Sequence, residues 1–170
     1  RSVAPGAEGL VILPYFSGER SPINDTDAKG VIFGLQMHHH RGHLYRATLE
    51  GIGYSINHIL LAMREAGAAP QSMAAVGGGT ANDVWLQAVT DITGLPQNVP
   101  EVTLGASYGN AFLAGYAVGL FERPEAVHDW IKGKRRVDRR PENADVYARQ
   151  MQVYIDLCRK TRSEMHALSA

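Results

Sequence analysis

Apolar positions along the chain gather into short runs and helical stripes. Residues 11–16 and 31–35 are brief apolar runs separated by the polar, turn-rich stretch 17–30, which predicts two strands joined by a long loop. From Arg41 to Ala66 the residues Leu44, Ala47, Ile52, Ile56, Ile59, Leu60 and Met63 recur at helical spacing, and Gly67 closes the pattern. This predicts the second-longest helix of the chain, with one face on a sheet. A buried strand over 73–76, a helix over 83–92 stopped at Gly94, a strand over 97–102 and a Gly/Ala-rich helix over 104–118 follow. In that last helix the small residues Gly105, Ala106, Gly109 and Ala114 predict close approach to a neighbouring backbone. The tail, 141–167, reads as one long amphipathic helix burying Val146, Met151, Val153, Tyr154, Leu157 and Cys158. Alternating strands and helices of this kind predict an α/β fold, a mixed sheet flanked by helices.

Composition narrows the function. At 170 residues and 45% hydrophobic the chain fits a single domain, 1–170, with a real core. The formal net charge is zero, so no global field favours nucleic acid or an acidic membrane surface. The lone cysteine, Cys158, excludes an internal disulfide framework and suits a reducing cytoplasm; it reads as a core-facing helical residue. No signal-like amino end and no apolar run of membrane-spanning length appears, which leads to the expectation of a cytoplasmic protein. The chain opens Arg1-Ser2-Val3 without Met, which suggests a piece of a longer polypeptide or a processed product.

The densest chemical signal is Val76-Gly77-Gly78-Gly79-Thr80-Ala81-Asn82, where an apolar run breaks into three glycines and then a helix. Without Cβ atoms the main chain can approach a flat ring or a phosphate closely. Asn82 can cap the following helix or aim its amide at a ligand. The run is not a Walker loop, since Gly79 is followed by Thr80-Ala81-Asn82 rather than by Lys and Ser or Thr. Nor is it a dinucleotide fingerprint, because the third glycine would fall at Asn82. A ligand-free strand-to-helix turn uses the same residues.

Other patterns admit competing readings. Gly105-Ala-Ser-Tyr-Gly109 fits the nucleophile elbow G-x-S-x-G, with Ser107 as nucleophile and Asp129 and His166 downstream in triad order; helix packing also explains these small residues. His38, His39, His40 and His43 could in principle bind metal, but adjacent histidines point apart and no Cys or carboxylate stands at zinc-site spacing. A solvated turn before the helix is the favoured reading, with no metal ligand assigned. Lys132, Lys134, Arg135, Arg136, Arg139 and Arg140 lack interleaved aromatics and read as an exposed strand or loop. In the loop, Glu19 and Arg20 read as a structural ion pair, with an active-site contact as the alternative.

Three stretches together resemble the carboxyl-terminal half of the FGGY carbohydrate kinases, the family of xylulose, ribulose, gluconate and glycerol kinases. Leu13-Pro-Tyr-Phe-Ser-Gly-Glu-Arg-Ser-Pro22 is similar to the LPYLSGERTP run of the xylulose kinase branch. Lys29 to Leu35 with His43-Leu-Tyr-Arg-Ala-Thr-Leu-Glu50 fits the second family signature. Val76 to Asn82, with Trp85, Gln87, Asp91, Gly94 and Leu104-Gly-Ala106, is the third. The resemblance covers about Gly9 to Leu120 and implies a ribonuclease-H-like, actin-like ATPase fold, possibly partial at its amino end. It implies that Gly77 and Gly78 lie against adenine and ribose, that Gly79 opens the turn, that Asn82 bonds near the base, and that the helix from Leu104 packs behind the site. Implied cofactors are ATP and Mg²⁺, with ATP/ADP, a sugar, headed by a pentulose such as xylulose, and an N-terminal sugar-binding half as partners. A homodimer is compatible with it. The family's catalytic aspartate and phosphate turns lie upstream of these stretches, so no catalytic residue is assigned, Asp25 and Asp27 included, and the chain alone is expected to be inactive. A binding module without catalysis is the alternative.

Overall fold

The computed structural model describes residues 3–131 and 133–169; Arg1, Ser2, Lys132 and Ala170, and the side chain of Lys134, lie outside the described residues. The first two strands, β1 (Val11–Leu13) and β2 (Val31–Phe33), pair antiparallel with Val11 opposite Phe33. Both are shorter than the apolar runs suggest. Pro14 brings no N–H to a ladder and its carbonyl instead accepts from Phe16 N at 2.9 Å, while Gly34 turns out of β2 at φ 87°.

Helix α1 (Arg41–Glu65) spans 25 residues and is the longest helix described, where the sequence predicts the second longest. The tail is broken at Thr161 into α4 (Ala144–Lys160) and α5 (Arg162–Ala167). Between them in the chain lie β3 (Met73–Ala74), α2 (Asp83–Thr93), β4 (Gln97–Pro100), α3 (Ala106–Ala117) and β5 (Lys134–Val137). Strand β3 runs parallel to β4 through the α2 crossover, and β4 pairs antiparallel with β5, so the sheet is mixed as expected. The basic stretch supplies β5 with Arg135 and Arg136 exposed, again as expected.

The core forms where β1 packs on α1 and α4, and α2 packs on both helices. Val11, Leu13 and Tyr15 meet Tyr54, Ile92 and Tyr154, and buried Cys158 joins them from α4. Close packing of α1 needs glycine at two helical positions. A Cβ at Gly51 would collide with the Ile12 carbonyl oxygen of β1, and one at Gly53 would stand 2.7 Å from Ile92 Cδ1. Backbone cannot yield as a flexible side chain can, so Gly51→Ala is expected to destabilise by about 1–3 kcal/mol in urea unfolding. Unchanged stability would mean that α1 and β1 do not approach this closely.

A polar network fastens α1 to both chain ends. Buried Glu50 accepts from Gly6 N (2.9 Å), Arg46 Nε (2.6 Å) and Tyr147 Oη (2.8 Å). Tyr54 Oη donates to Gln150 Oε1 at 2.6 Å, and Gln150 Nε2 donates to the Gly6 carbonyl at 2.6 Å. No ion pair joins Glu19 to Arg20 among the described residues. Glu19 instead accepts from Ser55 Oγ at 2.8 Å and from Ser21 N at 3.3 Å, which pins the loop to α1.

Asp25 closes the same loop onto α5. Its buried carboxylate receives Arg162 Nε (3.0 Å) and the Asp27 amide (3.1 Å) and lies 2.7 Å from His166 Nε2. The His166 hydrogen bond foremost holds this carboxyl below the usual aspartate range; desolvation works the other way, and the Asp27 amide and the charges of His166 and Arg162 add to the lowering. A folded value below the unfolded one means that the contribution is full above the unfolded aspartate value of about 4 and is lost as pH falls through the folded value. Asp25→Asn should therefore flatten the acid limb of the melting temperature against pH; an unaltered limb would exclude Asp25 as its source.

Candidate nucleotide turn

Strand β3 stops at Ala74, short of the expected 73–76; Ala75 and Val76 lead into the glycine triplet, whose last two residues open a 3-10 turn, Gly78–Ala81, before α2. Gly77 sits at φ 89°, where only glycine is comfortable, and its N–H donates to the Thr103 carbonyl at 2.7 Å. The Gly77 carbonyl accepts from Thr80 N at 3.2 Å and from Thr80 Oγ1 at 2.7 Å, so the turn is internally braced. Among the described residues, no atom beyond the chain neighbours lies within 4 Å of the place a Cβ would take at Gly77 or Gly78. The outward side of both residues is open.

Gly79 has a different reason. A Cβ there would overlap the Trp85 ring, so Gly79 makes room for the indole instead of a ligand. Asn82 fulfils the capping expectation, its Oδ1 accepting from Trp85 N at 3.1 Å. Its amide also donates to Tyr45 Oη of α1 at 2.7 Å and keeps a second N–H. From β5, Arg135 pairs with Asp83 at 2.6 Å and reaches the Thr80 carbonyl at 3.3 Å. Nothing in the residue order marks Arg135 as a neighbour of this turn. Tyr45 left one trace, an aromatic on the solvent side of α1 inside the second signature stretch.

Clefts flank β3 on both sides. One of about 560 Å³ is lined by Ile56, Leu60, Val76, Gly79, Thr80 and Trp85. Another of about 560 Å³ is lined by Met73, Val76, Asn98, Gly105, Gly109 and Trp130. Two expectations change here. Ala74 and Val76 are exposed, because β3 is an edge strand of the described sheet and the stretch 73–76 borders clefts in place of packed layers. A Cβ at Gly105 or Gly109 would meet no atom within 4 Å among the described residues beyond its own helix and chain neighbours, so tight packing of α3 does not account for them; they line the second cleft.

The hydrolase constellation does not assemble. Ser107 Oγ donates to the Leu104 carbonyl at 3.0 Å, and His166 is held on Asp25. Among the described residues no hydrogen bond joins Ser107 to a histidine.

The same turn lies within residues 1–118, which match the model of the FGGY family of carbohydrate kinases, C-terminal domain. The chain belongs to this family. A gluconokinase of Bacillus licheniformis is 36% identical over 163 residues, covering 95% of this chain and 32% of its own length. The crystal structure of a xylulose kinase from Rhodospirillum rubrum superposes with a TM-score of 0.80 at 32% identity, covering 96% of this chain and 33% of the other. Plasmodium falciparum glycerol kinase, solved with ADP, shares the fold at a TM-score of 0.69 and 24% identity over 88% of this chain and 31% of its own. The chain therefore spans about a third of the length of these FGGY relatives. Their names divide among gluconate, xylulose and glycerol kinases, and the sugar is not resolved by them. Among the described residues no helix is long and apolar enough to cross a membrane.

Proposed function

We propose that residues 1–170 form one domain, the nucleotide-holding part of an ATP-dependent FGGY carbohydrate kinase. Adenosine lies against the bare main chain of Gly77 and Gly78, and the free amide N–H of Asn82 donates near the base. The observation that carries this is the unobstructed outward side of Gly77 and Gly78 in a turn braced by Thr80 and capped by Asn82. A glycine pair kept clear by its fold is what a flat ring requires.

In the whole kinase the γ-phosphoryl group of ATP passes to a sugar hydroxyl, with Mg²⁺ neutralising the phosphates. The LPYFSGERSP stretch makes a pentulose such as xylulose the leading acceptor. Asp83, next to the turn, is paired with Arg135, so we assign no Mg²⁺ ligand here and no catalytic base. This chain holds the nucleoside; phosphate, metal and sugar contacts come from the rest of the kinase.

The test is a thermal melt of the chain with ADP and ATP at millimolar concentration. Nucleotide should raise the melting temperature of wild type, and Asn82→Asp should weaken that rise. Aspartate keeps an oxygen for the Trp85 amide but loses the N–H donors, so the helix cap survives while the ligand contact does not. No response of the wild-type chain to either nucleotide counts against the proposal.

A further inference from the structure

The histidines around the start of α1 do not simply face solvent. His43 is buried, and the rings of His38 and His39 lie 4.3 Å apart between centroids, although neighbouring residues were expected to point apart. Nor is a carboxylate missing. Glu8, thirty residues upstream of His38, is folded back onto them, with Oε2 at 3.1 Å from His38 Nε2 and Oε1 at 3.5 Å from His43 Nε2. It is presented from left-handed backbone, Ala7 at φ 44° and Glu8 at φ 53°, which is costly for residues bearing a Cβ. The Gly6 N–H bond to buried Glu50 anchors that turn.

We propose that Glu8, His38 and His39 form a binding site for a late first-row divalent cation such as Zn²⁺. One ligand atom from each lies within 4.8 Å of the others, a spacing that small side-chain movements close around a metal. Two imidazoles and a carboxylate suit Zn²⁺ with a fourth position for water. A second observation points the same way: among the described residues, His39 Nε2 is buried with no hydrogen-bond partner.

Proton positions follow from the neighbours. His43 Nδ1 accepts from His40 N at 3.1 Å, so the neutral ring carries its proton on Nε2 and turns it toward Glu8. His43 thus positions the carboxylate and is not a ligand. His39 Nδ1 accepts from Gln36 N at 3.0 Å, which leaves the proton on Nε2. Coordination through Nε2 moves that proton to Nδ1, and the exposed Gln36 amide turns to water. The metal would clip the turn before β1 to the start of α1.

Calorimetric titration of the tag-free, chelator-stripped chain with Zn²⁺ tests this in the absence of nucleotide. One equivalent should bind, and excess Zn²⁺ should raise the melting temperature by about 5 °C. Glu8→Gln and His38→Ala, both at exposed positions, should weaken binding at least about tenfold, and Co²⁺ should give visible d–d bands that Glu8→Gln abolishes. His128→Ala, outside the cluster, should bind as wild type does. Absence of one-equivalent binding, or Glu8→Gln and His38→Ala both binding like wild type, overturns the site. The readouts do not involve nucleotide, so their failure leaves the kinase reading untouched.

Discussion

Gly78→Val should abolish the nucleotide-dependent rise in melting temperature while leaving the ligand-free melt nearly unchanged. The three glycines of the turn differ in what they tolerate. Gly77 stands at φ 89°, so any side chain there strains the backbone, and Gly79 lies under the Trp85 ring. A change at either would confuse folding with binding. Gly78 is outside the positive-φ set and has no atom within 4 Å of a Cβ position, so valine costs the fold little and removes some unfolded-state entropy. What valine does fill is the space where adenosine would lie. At a nucleotide concentration of about 100 times Kd the lost stabilisation would be about 2.7 kcal/mol. Retention of the wild-type ADP response in this variant would exclude Gly78 from the contact.

Glu50→Ala should cost about 3–5 kcal/mol, a large share of the ordinary stability of a domain. Glu50 is 1% exposed and serves three donors at once, and its partner Arg46 has a side chain only 14% exposed. Truncation leaves a half-buried guanidinium, the Gly6 amide and the Tyr147 hydroxyl without their acceptor. Those partners lie in the amino-terminal turn and in α4, so the loss loosens both from α1. Guanidinium unfolding measures it directly. A loss below about 1 kcal/mol would mean that water replaces the carboxylate at little cost, contrary to the burial seen.

These two positions show how unevenly structure can be read from the residue order. Glu50 was visible as part of a signature, yet nothing along the chain says that it accepts from Gly6 and Tyr147, which are 44 and 97 positions away. Asn82 was legible as a cap because capping is local, three residues long. Its second partner, Tyr45, was not, because that hydrogen bond spans 37 positions. Gly79 was grouped with its neighbours for want of any sign that Trp85 would lie over it. The histidines have no carboxylate near them in sequence, and chain folding supplies one from Glu8.

Periodicity, glycine placement and local capping thus settled the α/β class, the existence of α1 and α2, and the strand-to-helix turn between β3 and α2, because each depends on residues a few positions apart. Tertiary contact alone decided which glycines are open, which are covered, where the tail helix breaks and which distant carboxylates meet Arg162, His166 and His38. Such contacts follow from how whole elements pack, and packing is a property of surfaces brought together by the fold, which local order along a chain does not encode.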